Sequence, residues 1–338
     1  MLGKILVTGG TGYIGSHTVV ELLESGYEVV IVDNLSNSKE EVINRIEKIT
    51  GKRPEFINAD IRDEKKLNEI FSKYNFKAVI HLAGFKSVSE SIKNPIEYYD
   101  NNINSTLTLT QQMIKHGVKQ IIFSSTAGVY GSNPESLPIT EDNTVGQNVA
   151  HPYARTKYIN EQILNDLSIV NNDLKVVIFR YFNVFGAHDS GIIGENLNSI
   201  PDNIVPYILQ VALGKLNEVN VFGDNYDTPD GTGIRDYIHV VDLARGHVAA
   251  IGKILPGVEI INLSTGVGTS VLELIKTFSI IIKRDIPYRI APRRDGDIPI
   301  SYASADKAKK ILGWCAEKTI KQGLEDAWRW QSKNPNGY

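Results

Sequence analysis

Tyr153 and Lys157 stand four residues apart in the stretch HPYARTKY. Of the 15 tyrosines, only Tyr153 has a lysine at that spacing. Positions i and i+4 share one helix face, and Pro152 marks a helix start, so the two side chains project together. A free phenol has a pKa of about 10 and is a poor base at neutral pH. A nearby ammonium favours the phenolate. Such a pair can take a proton from an alcohol while hydride leaves the same carbon. Chance also places one lysine after one tyrosine in a chain rich in both, so the pair needs a hydride acceptor elsewhere.

Gly9-Gly10-Thr11-Gly12-Tyr13-Ile14-Gly15 offers a place for one. It follows an apolar strand pattern and opens a helical one. A second strand pattern ends in Asp33 about 20 residues on, the context in which a glycine fingerprint reads as a dinucleotide site rather than a plain tight turn. Glycines at 9, 12 and 15 let the backbone approach a pyrophosphate, and the helix N-terminus favours the anion. Asp33 can accept from a ribose diol and repels a 2′-phosphate, so NAD is expected over NADP. Lys39 softens that repulsion. Asp60-Ile61 follows a third strand, where an adenine edge would lie. Leu82-Ala83-Gly84 ends a fourth with small residues that allow close approach.

Strands are predicted at Lys4–Thr8, Glu28–Asp33, Glu55–Asn58, Ala78–Leu82, Gln120–Ser124 and Lys175–Phe182. Between them lie helical patterns at Tyr13–Ser25, Glu64–Tyr74, Ile96–His116 (Ile103, Leu107 and Ile114 on one face) and Pro152–Val170. The strands are near-continuously apolar, as expected when helices cover both faces of a parallel sheet. After Asn183 the rhythm breaks into loop-rich segments, GAHDSGIIGENLNSIPDN and GDNYDTPDGTG. Short helices are predicted at Ile204–Leu213, Leu243–Ile251, Val271–Ile282, Asp306–Leu312 and Ile320–Gln331. The expected fold is α/β. A doubly wound parallel-sheet Rossmann domain covers 1–182, with 236–265 returning to it through IINLS. A smaller mixed α/β substrate domain covers 183–338.

Composition excludes other classes. A net charge of −3 gives no reason to expect nucleic acid or an anionic membrane. The seven histidines form no spaced cluster with cysteine, so no metal site is expected. The single cysteine, Cys315, allows no internal disulfide and reads as a packed residue beside Trp314. No apolar run is long enough to span a membrane. MLGKILVTGG enters a strand at once without a secretory segment, so a cytoplasmic protein is expected.

The stretches VTGGTGYIGSH, VDNLSNS, VIHLAGFKSVSES, YYDNN, FSSTAGVYG, PYARTK, RYFNVFGAH, DGTGIRDYIHV and APRRDGD together resemble the extended short-chain dehydrogenase/reductase family, and within it the nucleotide-sugar epimerases, over nearly the whole chain. The resemblance implies an isomerase that inverts C4 of UDP-hexoses through a 4-keto sugar on tightly held NAD. It implies Tyr153 as the base, Lys157 as its tuner and Thr126 as a hydroxyl serving it, with a homodimer formed through the helices near 96–116 and 152–170. NAD contacts are implied at Tyr13, Ile14, Asp33, Asn34, Asn37, Ser38, Asp60, Ile61, Leu82, Ala83, Lys86, Asn101 and Phe182, with Ser124 bordering the nicotinamide. The UDP-sugar would meet Lys86, Thr126, Tyr153, Asn183, Asn203, Ile204, Tyr237 and Ser301. Arg235 and Arg294 suit its diphosphate, Phe222 its uracil and Asp297 its ribose, although either arginine alone reads equally as a surface salt-bridge partner.

Two departures stand out. Many members carry serine where this chain has Thr126. Several carry a bulky tyrosine where it has Ser301, and a small residue there implies that N-acetylated sugars also fit, unless the adjacent Tyr302 fills the space. Related dehydratases place an Asp-Glu pair where this chain has Ala127-Gly128, which argues against dehydration. A UDP-sugar decarboxylase or reductase, or a non-catalytic NAD-sensing regulator on the same fold, remain as rival readings. Tyr130, with Pro134 four residues later, is not expected to be the base.

Overall fold

The computed structural model describes residues 2–132, 134–196, 201–294 and 297–338. Residues 197–200 of the loop-rich 186–203 segment and 295–296 of APRRDGD lie outside them. Seven strands form one parallel sheet: β1 (Lys4–Thr8), β2 (Glu28–Asp33), β3 (Glu55–Asn58), β4 (Phe76–His81), β5 (Gln120–Thr126), β6 (Lys175–Tyr181) and, after three strands of a smaller sheet system, β10 (Gly257–Leu263). Their order is β10-β6-β5-β4-β1-β2-β3. The order reverses between β1 and β4, and open sheets bind ligands at the carboxyl ends of strands beside such a point.

Successive strand residues face opposite sides, and each side is covered. Ile5 and Val7 of β1 pack with Val19 and Val20 of α1 (Tyr13–Glu24), with Val42 and Ile46 of α2 (Glu41–Thr50), and with Leu243 of α8 (Val240–Ala250). Leu6 packs the other way, with Leu67 and Ile70 of α3 (Glu64–Lys73), Leu109 and Met113 of α5 (Pro95–Lys115) and Leu164 of α6 (Pro152–Val170). Each such buried side chain contributes about 1.5–3 kcal/mol relative to exposure. The short α4 (Val88–Lys93) precedes α5. Neither α2 nor α4 was expected from the sequence.

The smaller unit is built on β9 (Ile234–His239). It pairs in parallel with β7 (Asn183–Phe185) and β13 (Ile300–Ser301), and antiparallel with β11 (Gly268–Ser270). A separate parallel pair joins β8 (Val219–Phe222) to β12 (Tyr288–Ala291). Helices α7 (Ile204–Ala212), α9 (Val271–Ile282) and α11 (Ile320–Lys333) enclose its core around Ile208, Leu274, Phe278 and Leu324, while α10 (Asp306–Leu312) packs with the larger sheet.

Two sequence expectations are corrected here. Cys315 is exposed, whereas Trp314 beside it is buried and donates its indole N–H to the Asp242 carbonyl at 3.0 Å. On α5, Leu107 and Ile114 lie outward and exposed, and the buried face carries Tyr98, Asn102, Ser105, Thr106, Leu109 and Met113. Asn102, Ser105 and Thr106 of that face are hydrogen-bonded within the fold, whereas the amide of Gln112, also on it, is buried without a partner among the described residues. Asn102 holds the Phe85 N–H at 2.8 Å, the Phe85 carbonyl at 3.1 Å and the Thr156 hydroxyl at 3.0 Å.

Candidate active site

The loop after β1 is shaped by absent side chains. Gly9 has φ +71°, and a Cβ there would lie 2.7 Å from the Ala83 nitrogen. At Gly15 a Cβ would lie 2.0 Å from the Gly9 carbonyl oxygen, so α1 can approach the loop only with glycine at 15. At Gly12 the one neighbour would be that same oxygen, at 3.2 Å. Gly12 caps α1 without a side-chain hydrogen bond, which leaves first-turn N–H groups for an anion. Gly15→Ala is expected to destabilise the protein by about 1–3 kcal/mol and to strip it of dinucleotide. Thermal unfolding and the nucleotide content of the purified protein check this.

From this loop a cleft of about 600 Å³ runs across the carboxyl ends of the sheet. It is lined by Gly9, Gly12, Tyr13, Ile14, Gly15, Asp33, Asn34, Asn37, Ser38, Asp60, Ile61, Leu82, Ala83, Gly84, Lys86, Asn101, Ser124, Tyr153 and Lys157. Phe182 is not on this wall; it packs in the small cluster of Val129, Tyr130, Ile139 and Ala303. The Asp33 carboxylate accepts from the backbone N–H of Thr11 at 3.1 Å and of Leu35 at 2.9 Å, which fixes its orientation. Hydrogen bonding by Arg62 pulls Asp60 down to about 2 and keeps it ionised. Glycine cradle, uncapped helix and strand-end aspartate fit a dinucleotide with a free ribose diol.

At the other end lie Tyr153 and Lys157, on the first turns of α6, and Thr126, the last residue of β5. His151 stacks on Tyr153 with ring centroids 5.9 Å apart and planes 3° from parallel. The Thr126 hydroxyl accepts from the Gly128 N–H at 3.2 Å and hydrogen-bonds Tyr153. The sequence expectation is that Lys157 together with a positive nicotinamide lowers the Tyr153 phenol; among the chain's own groups, burial dominates instead. Burial pushes Tyr153 up to about 12, opposed only by the Thr126 hydrogen bond. Burial also brings Lys157 down to about 8. The Lys157 ammonium lies 4.9 Å from the Phe123 ring centre, and no carboxylate pairs with it among the described residues. Tyr130 lies apart from the cleft, buried, donating to the Asn262 side-chain oxygen at 2.7 Å.

Of the residues expected to meet a sugar nucleotide, Lys86, Tyr153 and Asn203 line the cleft. Apart from Thr126 at the end of β5, the others gather on the smaller unit. Arg235 donates to Asp297 at 2.5 Å, and the Arg294 guanidinium lies 3.9 Å from the Phe222 ring centre. Asn183 is in register with Tyr237, and Ser301 with Arg235. Ile204 opens α7 behind Asn203. The diphosphate candidates are thus engaged with the candidates for ribose and base. The sequence reading passed over Phe85, Ser87, Val88, Ser89, Glu90, Lys93, Ser105, Tyr181, Glu195, Asp202 and Tyr338, which also line the cleft. Tyr181 ends β6, and strand-end position alone could have marked it. Glu195, Asp202 and Tyr338 have no local signal.

The sequence pattern of the NAD dependent epimerase/dehydratase family matches residues 5–264. The chain belongs to that family, within the extended short-chain dehydrogenases/reductases. It is 53% identical over 336 residues to the UDP-glucose 4-epimerase of Bacillus subtilis (strain 168), covering 99% of this chain and 98% of that one. Its fold matches the UDP-glucose 4-epimerase of Bifidobacterium longum in complex with NAD+ and UDP at a TM-score of 0.94 and 52% identity, over 99% of this chain and 100% of that one. It also matches the UDP-Glc/GlcNAc 4-epimerase of Campylobacter jejuni at a TM-score of 0.86 and 32% identity, over 98% and 99% of the two chains.

Proposed function

We propose that this protein is an NAD-dependent isomerase that inverts C4 of UDP-hexoses, interconverting UDP-glucose and UDP-galactose. One observation carries the reading: the cleft that begins at the glycine cradle ends at Tyr153, with Lys157 beside it and Thr126 in hydrogen-bond contact. NAD, when bound, supplies a two-electron acceptor that returns its electrons, so no outside reductant is needed. Tyr153 takes the proton from the C4 hydroxyl as C4 is oxidised, and gives it back to the same oxygen once the 4-keto sugar has turned its other face to the dinucleotide, so that C4 would be reduced from the opposite side. Thr126 holds the phenol oxygen and the sugar oxygen in line. Lys157 contributes positive charge and binds the nicotinamide ribose. Arg235, Arg294, Phe222 and Asp297 hold the UDP from the smaller unit, while residues 1–182 hold the dinucleotide on a sheet that β10 completes and α8 covers.

Dehydration is disfavoured on the same geometry. A Cβ at Gly128 would lie 3.0 Å from the Cβ of Ala154, so an acid side chain there would press on α6. Thr126→Ala is expected to cost about tenfold in kcat, the equivalent of one hydrogen bond. Undiminished turnover would show that this hydroxyl is idle. The decisive experiment is to incubate the protein separately with four UDP-sugars, without reductant, and identify the products. UDP-glucose and UDP-galactose are expected to interconvert. Failure of both sugars to interconvert would overturn the reading; a UDP-hexuronate, and a 4-keto UDP-sugar with NADH, would then test the decarboxylase and reductase alternatives.

The reading extends to UDP-GlcNAc and UDP-GalNAc. Ser301 is small, which supports this extension, and the neighbouring Tyr302 ring lies toward Gly268, 3.5 Å from where a Cβ on that glycine would stand. Unchanged UDP-GlcNAc alongside converted UDP-glucose would refute the extension. A cytoplasmic homodimer belongs to the same reading. Exposed Leu107 and Ile114 on α5 and half-buried Ile159, Ile163 and Leu167 on α6 form an outward apolar face suited to a second copy. Sedimentation at twice the 37.5 kDa chain mass is expected.

A further inference from the structure

Tyr338 lies about as far in sequence from the glycine cradle as the chain allows, yet it lines the same cleft. Its ring is held on two sides. The Trp330 ring lies 4.7 Å away, centre to centre, and the Arg45 guanidinium 4.8 Å from the Tyr338 ring centre. Its hydroxyl donates to the Gly194 carbonyl at 3.0 Å and accepts from the Gly194 N–H at 3.1 Å. Its own N–H donates to the Asn196 side-chain oxygen at 3.2 Å, and its carbonyl accepts from the Lys39 ammonium at 2.7 Å.

These bonds join opposite walls. Lys39 follows Asn37 and Ser38, on the wall that carries Asp33. Gly194 to Asn196 form part of the facing wall. Trp330 holds that wall too, donating to the Glu195 carbonyl at 3.0 Å. Glu195 then reaches on to Lys86 at 2.9 Å, on the loop after β4. The result is a continuous belt of contacts from Lys39 through Tyr338 and Glu195 to Lys86. It passes beside Tyr13, whose ring centre lies 5.7 Å from the Lys86 ammonium and whose first-turn position is that of the pyrophosphate.

We propose that Tyr338 is a cofactor-retaining residue, closing the belt over the pyrophosphate portion of a bound dinucleotide and setting the rate at which the dinucleotide leaves. This rests on the reading of the cleft as the NAD site. A dinucleotide lying from Asp33 to Tyr153 runs beneath the belt and departs when the Tyr338 contacts open. Removing the side chain deletes both Gly194 bonds and both ring contacts at once. The phenylalanine variant deletes only the bonds.

The test is to load the parent, Tyr338→Ala and Tyr338→Phe with radiolabelled NAD and to chase with excess unlabelled NAD. Tyr338→Ala is expected to release label at least tenfold faster than the parent, and Tyr338→Phe at least threefold faster. UDP affinity, measured by calorimetry, is expected to stay within twofold in both. Should Tyr338→Ala fail to fold, Tyr338→Phe decides. Release at the parental rate, or a parallel loss of UDP affinity that marks general loosening, overturns the inference while the NAD reading stands. A parent that neither contains NAD as purified nor takes up the label after removal of bound nucleotide overturns that reading and this inference with it.

Discussion

Tyr153→Phe is expected to lower kcat by about 10²–10⁴-fold, the range for losing a positioned acid–base group. The substitution removes one oxygen. The ring keeps its stacking partner His151 and its place on α6. Stability is therefore expected to be close to parental, and KM to change far less than kcat, because the hydroxyl acts on the transferring proton. The chain's own groups hold the phenol protonated at neutral pH, since burial places Tyr153 at about 12. Such a rise from the free value of ~10 disfavours the phenolate by about 3 kcal/mol. Beyond the Thr126 hydrogen bond, positive charge offsets this. Lys157, brought down to about 8, remains mostly ammonium at pH 7 and supplies one such charge; oxidised nicotinamide is the other that the reading provides. Steady-state kinetics with UDP-galactose check the prediction. A variant that keeps more than a tenth of parental kcat would remove Tyr153 from the base role.

Glu161→Ala is expected to destabilise the fold by about 3–5 kcal/mol, as breaking one side of a buried ion pair does. Glu161 lies on α6, eight residues after Tyr153 and four after Lys157. Its carboxylate accepts from Arg180 of β6 at 3.2 and 2.7 Å and from the Ser125 hydroxyl of β5. Both ionic side chains are only 2% exposed. The Glu161 carboxylate thus ties the helix bearing Tyr153 and Lys157 to β6 through Arg180 and to β5, the strand bearing Thr126, through Ser125. Loss of the carboxylate leaves the Arg180 charge buried without its partner, beside the Tyr130 ring 4.8 Å away. Urea unfolding measures the loss, and a decrease under about 1 kcal/mol would show that the clamp is not structural. The double variant Glu161→Leu with Arg180→Met is expected to regain much of the stability, because apolar residues replace a buried pair at little net cost.

Much of the site was legible because its signals are local. The glycine cradle, the aspartate closing β2 and the Tyr153–Lys157 spacing each lie within one strand–helix unit, where backbone geometry dictates residue type. The same holds for β1, β2 and β3, whose bounds Lys4–Thr8, Glu28–Asp33 and Glu55–Asn58 follow from apolar runs. The α5 face was misjudged for a physical reason. Ile103, Leu107 and Ile114 have the periodicity of a core stripe, but Asn102, Ser105 and Thr106 take the buried side, where Asn102 tethers the Phe85 loop. Periodicity reports an apolar stripe and not which surface covers it. The short β7, β8, β9 and β11–β13 were missed because two- to six-residue strands in loop-rich sequence carry little pattern.

By itself the sequence determined the alternation that builds a parallel sheet, the phosphate cradle and the pair of residues able to move a proton. Spacing along the chain suffices for these, since each is settled within a few turns of backbone. Tertiary structure alone decided how those groups behave together. Burial set the directions of the Tyr153 and Lys157 shifts, against the expectation from charge. Long-range packing paired Arg235 with Asp297 and laid Arg294 on Phe222. It also brought Tyr338 to Lys39 and Gly194. Desolvation and contact depend on what arrives from distant parts of the chain, and no local window of residues records that arrival.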